Sequence, residues 1–295
     1  MADATYFNVG GQTLLVKDAT ARAKADTSLS TDEILYQLAL GTYKGRSLAS
    51  QFSSEILDYD GDEAAWFNAR IMSGEFDGIY PFDYFDITLT DGKVFRYRMA
   101  EVDHDLHAIN PEVTTHHADM VPDQVWPDSI LWNSTATNQG TSSVKNPYCA
   151  SNLHNWEVNT FYALLPAKWK AVIAERTELL EERYNASSQL TDSTGYAWYN
   201  MGKIWSLSET EVYGDAVCGT KRWSSGADSH YSEFFKNTAH RIRRNFSDAR
   251  YSWWLRGAAG GSSSNVCYVG IDGSATAHSA THTNIRPLPC FRVGV

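Results

Sequence analysis

The chain has 295 residues, with 25 Lys+Arg against 35 Asp+Glu and a formal charge of −10. This balance excludes a nucleic-acid protein, because phosphate neutralisation needs a basic footprint and no basic run exceeds Arg241-Ile242-Arg243-Arg244. Charged residues are only 20% while aromatics reach 13%, with ten Trp and sixteen Tyr, so Ser, Thr, Asn and Tyr must form much of the surface, a composition suited to recognition.

A chain of this length can bury the core of one large or two modest domains without disulfide or metal support. Cys149, Cys218, Cys267 and Cys290 lie 69, 49 and 23 residues apart with no CxxC pair, so they read as reduced core residues. The start, Met1-Ala2-Asp3-Ala4-Thr5, has neither a basic nor an apolar leader region, and no stretch approaches a membrane span. No signal peptide and no membrane insertion are expected, only synthesis in a cytoplasm.

In chain order, Thr5 to Lys17 reads as two strands about Gly10-Gly11. Residues 18–29 form a polar connection, and Ser30-Thr31-Asp32-Glu33 offers a capping box for a helix carrying Ile34, Leu35 and Leu38, ending near Gly41 or Gly45. From Gly74 the pattern turns β-rich, with the clearest hairpin around Asp91-Gly92. A boundary at 75/76 follows. The span 103–165 is aromatic and irregular, which predicts long loops pinned by Trp126, Trp132 and Trp156. Pro166 to Leu180 has helical spacing, although Thr177-Glu178-Leu179-Leu180 can equally start a strand. Lys203 to Leu207 reads as a strand, and Ser208-Glu209-Thr210-Glu211 caps a short helix ending at Gly214. The last third gives strands at Trp253–Arg256, Val266–Val269 and Pro289–Val293, with a turn at Asp272-Gly273.

Chemistry-bearing motifs are sparse. His104, His107, His116 and His117 cluster with Asp103, Asp105 and Asp119, but the His104-x-x-His107 pair sits in loop-like sequence, so these rings are expected to hydrogen-bond within a wet loop, with no metal site. Neither G-x-S-x-G nor a Cys/His signature occurs, and Glu178, Glu181 and Glu182 read as a solvated face. Catalytic residues are expected to be none.

The C-terminal third carries Trp253-Trp254-Leu255-Arg256-Gly257, then Cys267-Tyr268-Val269-Gly270-Ile271-Asp272-Gly273, then Thr283-Asn284-Ile285-Arg286-Pro287. With Tyr97-Arg98-Met99-Ala100-Glu101-Val102-Asp103, Met120-Val121-Pro122-Asp123, Trp132-Asn133-Ser134-Thr135 and Trp205 to Gly214 upstream, this order resembles bacteriophage and prophage virion proteins. Those carry a C-type-lectin-like ligand-binding domain of the formylglycine-generating-enzyme subtype. Gly257 stands for a Ser and Asn284-Ile285 for Gly-Val in the family pattern, and Tyr6 to Gln12 with Val16 to Arg22 resembles the start of phage tail-associated proteins.

The resemblance implies an α+β protein: residues 1–75 as an attachment and oligomerisation segment of small β-hairpin and helix, and 76–295 as a C-type-lectin-like domain of small antiparallel sheets, two or more helices and long loops. It implies a non-enzymatic, tail-associated or surface-displayed receptor-binding protein of the virion. Its partners would be a host-cell surface protein or glycan, other virion proteins, and further copies of itself, a trimer by preference. No cofactor is expected: the calcium-lectin motifs are absent, Val121-Pro122-Asp123 being the nearest approach, and the paired cysteines of the oxidase relatives are not matched. Some family members are diversified by retroelements whose NNY codons cannot encode Lys, Glu, Gln, Met or Trp. Those types are 45 of 295 residues, yet none occurs in 257–295, where about six would follow from composition.

The variable region would then lie near 250–284, with Tyr251, Ser263, Asn265, Tyr268, Ser274, Thr276, His278, Ser279, Thr281 and His282 as ligand contacts. Trp253, Trp254, Arg256 and Arg286 would be scaffold. The competing functions are a structural tail or head decoration protein without a selected ligand, and a surface-glycan hydrolase.

Overall fold

Alternation on either side of Gly10-Gly11 produces two antiparallel strands, β1 (Thr5–Val9) and β2 (Gln12–Val16), with Thr5 opposite Val16 and Val9 opposite Gln12. The computed structural model describes the backbone of these two strands and residues 29–220 and 229–295; the Gly10-Gly11 turn and nearly all of the polar connection lie outside the described residues. Two units partition the chain, Met1–Tyr43 and Lys44–Val295. In the first, Ser30 caps the helix Thr31–Leu40 reciprocally: its hydroxyl accepts from Glu33 N at 3.3 Å and Glu33 Oε2 accepts from Ser30 N at 2.8 Å. Gly41 ends the helix with φ 67°, a left-handed turn that glycine adopts without a Cβ clash.

The second unit starts with three short helical pieces (Leu48–Gln51, Ser53–Ile56 and Leu57–Tyr59) and the helix Glu63–Met72, capped by Asp62. Trp66, Phe67 and Ile71 are buried along that helix, and Phe67 meets Phe85 edge-on at 5.1 Å. The expected boundary at 75/76 therefore falls inside this unit, whose first helices supply part of its core.

The main sheet has the order β3-β4-β5-β14-β6, where β3 is Tyr84–Thr88, β4 Val94–Val102, β5 Ala118–Pro122, β6 Ile173–Ala174 and, further on, β14 Phe291–Val293. The Asp91-Gly92 turn joins β3 to β4 as the sequence predicts, Gly92 having φ 86°. The last strand, β14, sits between β5 and β6. Two hairpins, β7 (Thr177–Glu182) with β8 (Gly195–Asn200) and β9 (Arg243–Arg244) with β10 (Arg250–Tyr251), accompany a three-stranded sheet of β11 (Trp253–Ala258), β12 (Asn265–Val269) and β13 (Ala275–Ser279). Every one of these pairings is antiparallel. The protein is mixed α+β with antiparallel sheets.

Several sequence expectations need correction. The ambiguous stretch 166–180 divides into a helix, Ala167–Val172, and the start of β7, so both patterns are real but consecutive. Lys203–Leu207 is not a strand: it makes an isolated antiparallel bridge, in which Trp205 and Cys290 exchange both backbone hydrogen bonds at 3.0 and 2.9 Å. The irregular span contains an unpredicted helical run over 152–164, interrupted by the wide turn Glu157–Phe161. Glu178 is not solvated: it is 2% exposed and meets Arg176 Nη2 at 2.5 Å.

Candidate ligand-binding face

Two consecutive tryptophans open β11, the edge strand of the three-stranded sheet, and so point to its opposite faces, Trp254 beside Tyr268 and Trp253 beside Val269. Trp253 and Trp254 are fully buried, and each indole N–H donates to a carbonyl from another part of the chain, Arg241 O at 3.0 Å and Ile130 O at 2.8 Å. Arg256 donates through Nη1 to Ser206 O at 3.2 Å and Glu211 Oε2 at 2.7 Å. Arg286 differs from its expected scaffold role. Its guanidinium lies half-buried over the Tyr251 ring at 4.7 Å, and only its backbone ties to the sheet, through Trp254 N and Ser252 O.

The side chain that does tie loop carbonyls together is Arg183, which in the sequence only follows Glu181-Glu182 and belongs to no motif. Its Nη1 donates to Ala259 O at 3.0 Å and Ser262 O at 3.1 Å, its Nη2 to Thr220 Oγ1 at 2.5 Å. Asn138 adds Nδ2 bonds to Ser262 O and Asn265 O. The 258–265 loop is thus held from inside, although its sequence is Gly/Ser-rich.

None of the ten expected contact residues is buried; Ser274 and His278 are exposed and the other eight half-buried. The pleat nevertheless separates them. Tyr268 stands opposite Trp254 on one neighbour and Thr276 on the other, and His278 stands two residues along on the same face. Asn265 and Ser279 pair with each other on the reverse face. His282 joins the first group, its ring centroid 4.0 Å from that of His278. Both rings accept a backbone N–H at Nδ1, from Ser279 and Asn284 respectively, which leaves the Nε2 edges for other partners. Tyr268, Thr276, His278 and His282 form one surface, and Ile271, 56% exposed in the adjoining turn, extends it with an apolar tip. Ile271 carries no sequence signal beyond its place before Asp272-Gly273. The turn is steadied by Tyr213, whose hydroxyl donates to Gly273 O at 3.2 Å.

Behind this face, the two larger sheets share a buried ionic cluster. Arg292 on β14 grips Asp119 on β5 with both fork nitrogens, at 2.6 and 2.8 Å, and reaches Asp105 at 2.5 Å. Arg176 meets Asp105, Glu178 and Glu211 at 3.2, 2.5 and 2.6 Å, and Glu211 passes the chain of pairs on to Arg256. Burial pushes the Asp119 carboxyl up, but Arg292 and Arg176 outweigh it and hold the group far below the ordinary carboxylate range. Glu157 is the opposite case: buried with only the Tyr148 and Ser206 hydroxyls donating to it, at 2.5 and 2.6 Å, its carboxyl is pushed up to about 8.

A cavity of about 70 Å³ between β7, the end of β11 and the start of the helix Glu209–Tyr213 has Glu178, Glu181, Ser208 and Arg256 in its walls. That holds a few waters and falls well below an ordinary small-molecule site. The histidines hydrogen-bond to neighbouring carboxylates: His104 to Glu101 and His116 to Asp103, each at 2.7 Å, and His107 to Glu112 at 3.0 Å. Among the described residues no group of three or more His, Cys, Asp or Glu side chains is placed to hold a metal ion, and no helix is long and apolar enough to cross a membrane. All four cysteines are free; Cys267 and Cys290 are buried, while Cys149 and Cys218 are half-buried.

No curated protein and no solved structure matches the chain. One family model does, over residues 127–293, which takes in Trp253 and Trp254, the Tyr268 face, Arg183 and β14 but not β3, β4 or β5 of the main sheet. On that match the chain belongs to the DUF6273 family, whose description is a domain of unknown function.

Proposed function

We propose that this chain is a ligand-binding display protein of a phage or prophage virion, in which a C-type-lectin-like domain offers the Tyr268, Thr276, His278 and His282 face to a host-surface protein or glycan. The observation that carries this reading is an anchored aromatic edge beside an adaptable polar surface: Trp253 and Trp254 on β11 are fixed by buried indole bonds, while Tyr268, Thr276 and His278, on the face that Trp254 shares, remain accessible. Such a surface gains rigid contact area from Tyr and adjustable hydrogen bonds from Thr and His. Small antiparallel sheets joined by long irregular segments support the lectin-like scaffold. The first unit supports an assembly role, since its helix exposes Leu35, Tyr36 and Leu40, apolar surface that self-association into a trimer or contact with other virion proteins would cover.

For the hydrolase alternative, Ser229, His104 and Glu101 come together among the described residues. Ser229 Oγ lies 3.2 Å from Nε2 and 3.4 Å from Nδ1 of the same ring, nearly equidistant, so it is not aligned with either nitrogen as a proton relay requires. Binding is the better-supported class. The test is a full-length triple variant, Tyr268→Ala with His278→Ala and His282→Ala, measured for adsorption to host cells. Adsorption should fall at least about tenfold while the melting temperature stays within roughly a degree or two. Unchanged adsorption would remove the face from recognition. Retroelement diversification predicts, in the encoding genome, a nearby template repeat differing at adenines over the 250–284 codons and a reverse transcriptase.

A further inference from the structure

Two histidines of the Tyr268 face hold backbone through an atom that only the neutral ring offers. His278 Nδ1 accepts from Ser279 N at 2.8 Å, and His282 Nδ1 accepts from Asn284 N at 3.2 Å. An imidazole nitrogen that accepts carries no proton, so each neutral ring keeps its proton on Nε2. The two bonds bracket the turn that takes the chain from the end of β13 to Arg286, which bridges Trp253. Within the turn, His282 N donates to Ser279 O and the hydroxyls of Ser279 and Thr281 pair, each at 2.9 Å. The segment from Ser279 to Asn284 is therefore tied down largely by its own side chains.

Protonation of either ring converts its Nδ1 from acceptor to donor and sets it against a backbone N–H, so the bond is lost. The two rings also oppose each other's charge, their centroids being 4.0 Å apart. Among the described residues no carboxylate bonds to either ring. The 133–138 segment, which bonds Ala280 and Ser263, has no ionisable side chain. β12 brings Cys267, opposite Ala277 on the other face, and β11 brings Arg256, already bound to Glu211. Arg286 follows the turn and lies over Tyr251, and Asp272, at the far end of β13, accepts from Ser274. Burial and then the charge of His278 hold His282 below the ordinary histidine value. We propose that His278 and His282 form an acid-sensitive clasp: neutral, they close the 279–284 turn and with it one side of the recognition face; protonated, they release it. The clasped turn takes up protons less readily than the released one, so clasping is complete above about pH 6.5 and is lost as the pH falls below that. The consequence for recognition, weaker ligand binding in acid, rests on the display reading of this face; the clasp itself does not.

The experiment records imidazole nitrogen spectra and amide hydrogen exchange of the full chain at about pH 7.5 and about pH 5, on either side of the histidine range. At the higher pH both rings should show a bare Nδ1 and a protonated Nε2. At the lower pH, exchange at Ser279 and Asn284, corrected for its intrinsic pH dependence, should quicken at least about tenfold while β12 stays protected. His278→Asn with His282→Asn supplies acceptor oxygens that acid does not protonate, and should abolish that response. The opposite tautomer in either ring, equal corrected exchange at the two pH values, or a response that survives in the Asn pair would overturn the proposal. The first two are read on the parent chain and stand even if the variants fail to fold. Adsorption of the parent to host cells at the same two pH values separates the clasp from the display reading. A fall in acid joins them, whereas unchanged adsorption beside faster exchange removes the face from recognition and leaves the clasp in place.

Discussion

Glu157 binds its proton more tightly in the folded protein, about 8 against an ordinary 4.5, with burial as the cause. Because the folded value is raised, the associated stability is complete below about 4.5 and is lost as the pH rises through about 8. The melting temperature should therefore fall between pH 5 and 8, and Glu157→Gln should flatten that slope, a comparison read directly from melts in a buffer series. Asp119 acts in the opposite sense: its lowered value contributes stability above the unfolded carboxylate range that disappears on strong acidification. Trp254→Ala should cost about 3–5 kcal/mol, since the ring is wholly buried and its N–H bond to Ile130 is lost as well. Arg286→Ala should cost only about 0.5–1 kcal/mol, the scale of a half-exposed cation–π contact. Chemical denaturation of the two variants separates them. The sequence makes Trp254 legible as scaffold because a large ring in an apolar strand has few other uses. It does not make Arg286 legible, because whether an arginine ties carbonyls or lies on a ring depends on neighbours distant in the chain.

At the scale of elements, local signals survive where local chemistry decides the outcome. The Ser30 and Ser208 capping boxes and the Gly92 and Gly273 turns form where the sequence places them. β13 escapes prediction because Ala275-Thr276-Ala277-His278-Ser279 lacks β-branched alternation and is a strand only by pairing with β12. The Glu178 misassignment has the same origin: an acidic run looks solvated until Arg176 is brought beside it by the fold. Of the candidate face, composition conveys accessibility, but only the register of β12 on β13 reveals that Asn265 and Ser279 turn away from Tyr268. Arg183 gives a test at this scale. Arg183→Met should leave β7 paired but free the 258–265 loop, raising amide exchange there well above the parent rate while the main sheet stays protected.

For the whole molecule, the division at Tyr43/Lys44 and the aromatic packing of the helix Glu63–Met72 give opposite expectations for two truncations. A chain starting at Lys44 should fold and, if the first unit assembles the protein, should scatter light as a smaller species. A chain starting at Phe76 should lose Trp66, Phe67 and Ile71 from the core and melt poorly or not at all. Light scattering with thermal melts of both decides where assembly ends and folding begins.

The position of β14 bears on how such a chain is made. The strand follows both of its neighbours, β5 and β6, by more than a hundred residues in the chain, yet it lies in the middle of the main sheet and carries Arg292 into the ionic cluster. Until it emerges from the ribosome, β5 and β6 have no strand between them, and Asp119 and Asp105 are buried partners without one of their cations. Closure of the sheet thus waits for a strand made long after both of its neighbours. A product cut short before Phe291 is left with an open edge and unpaired acid, the state that proteases remove, so the copies that persist would be those that carry β14.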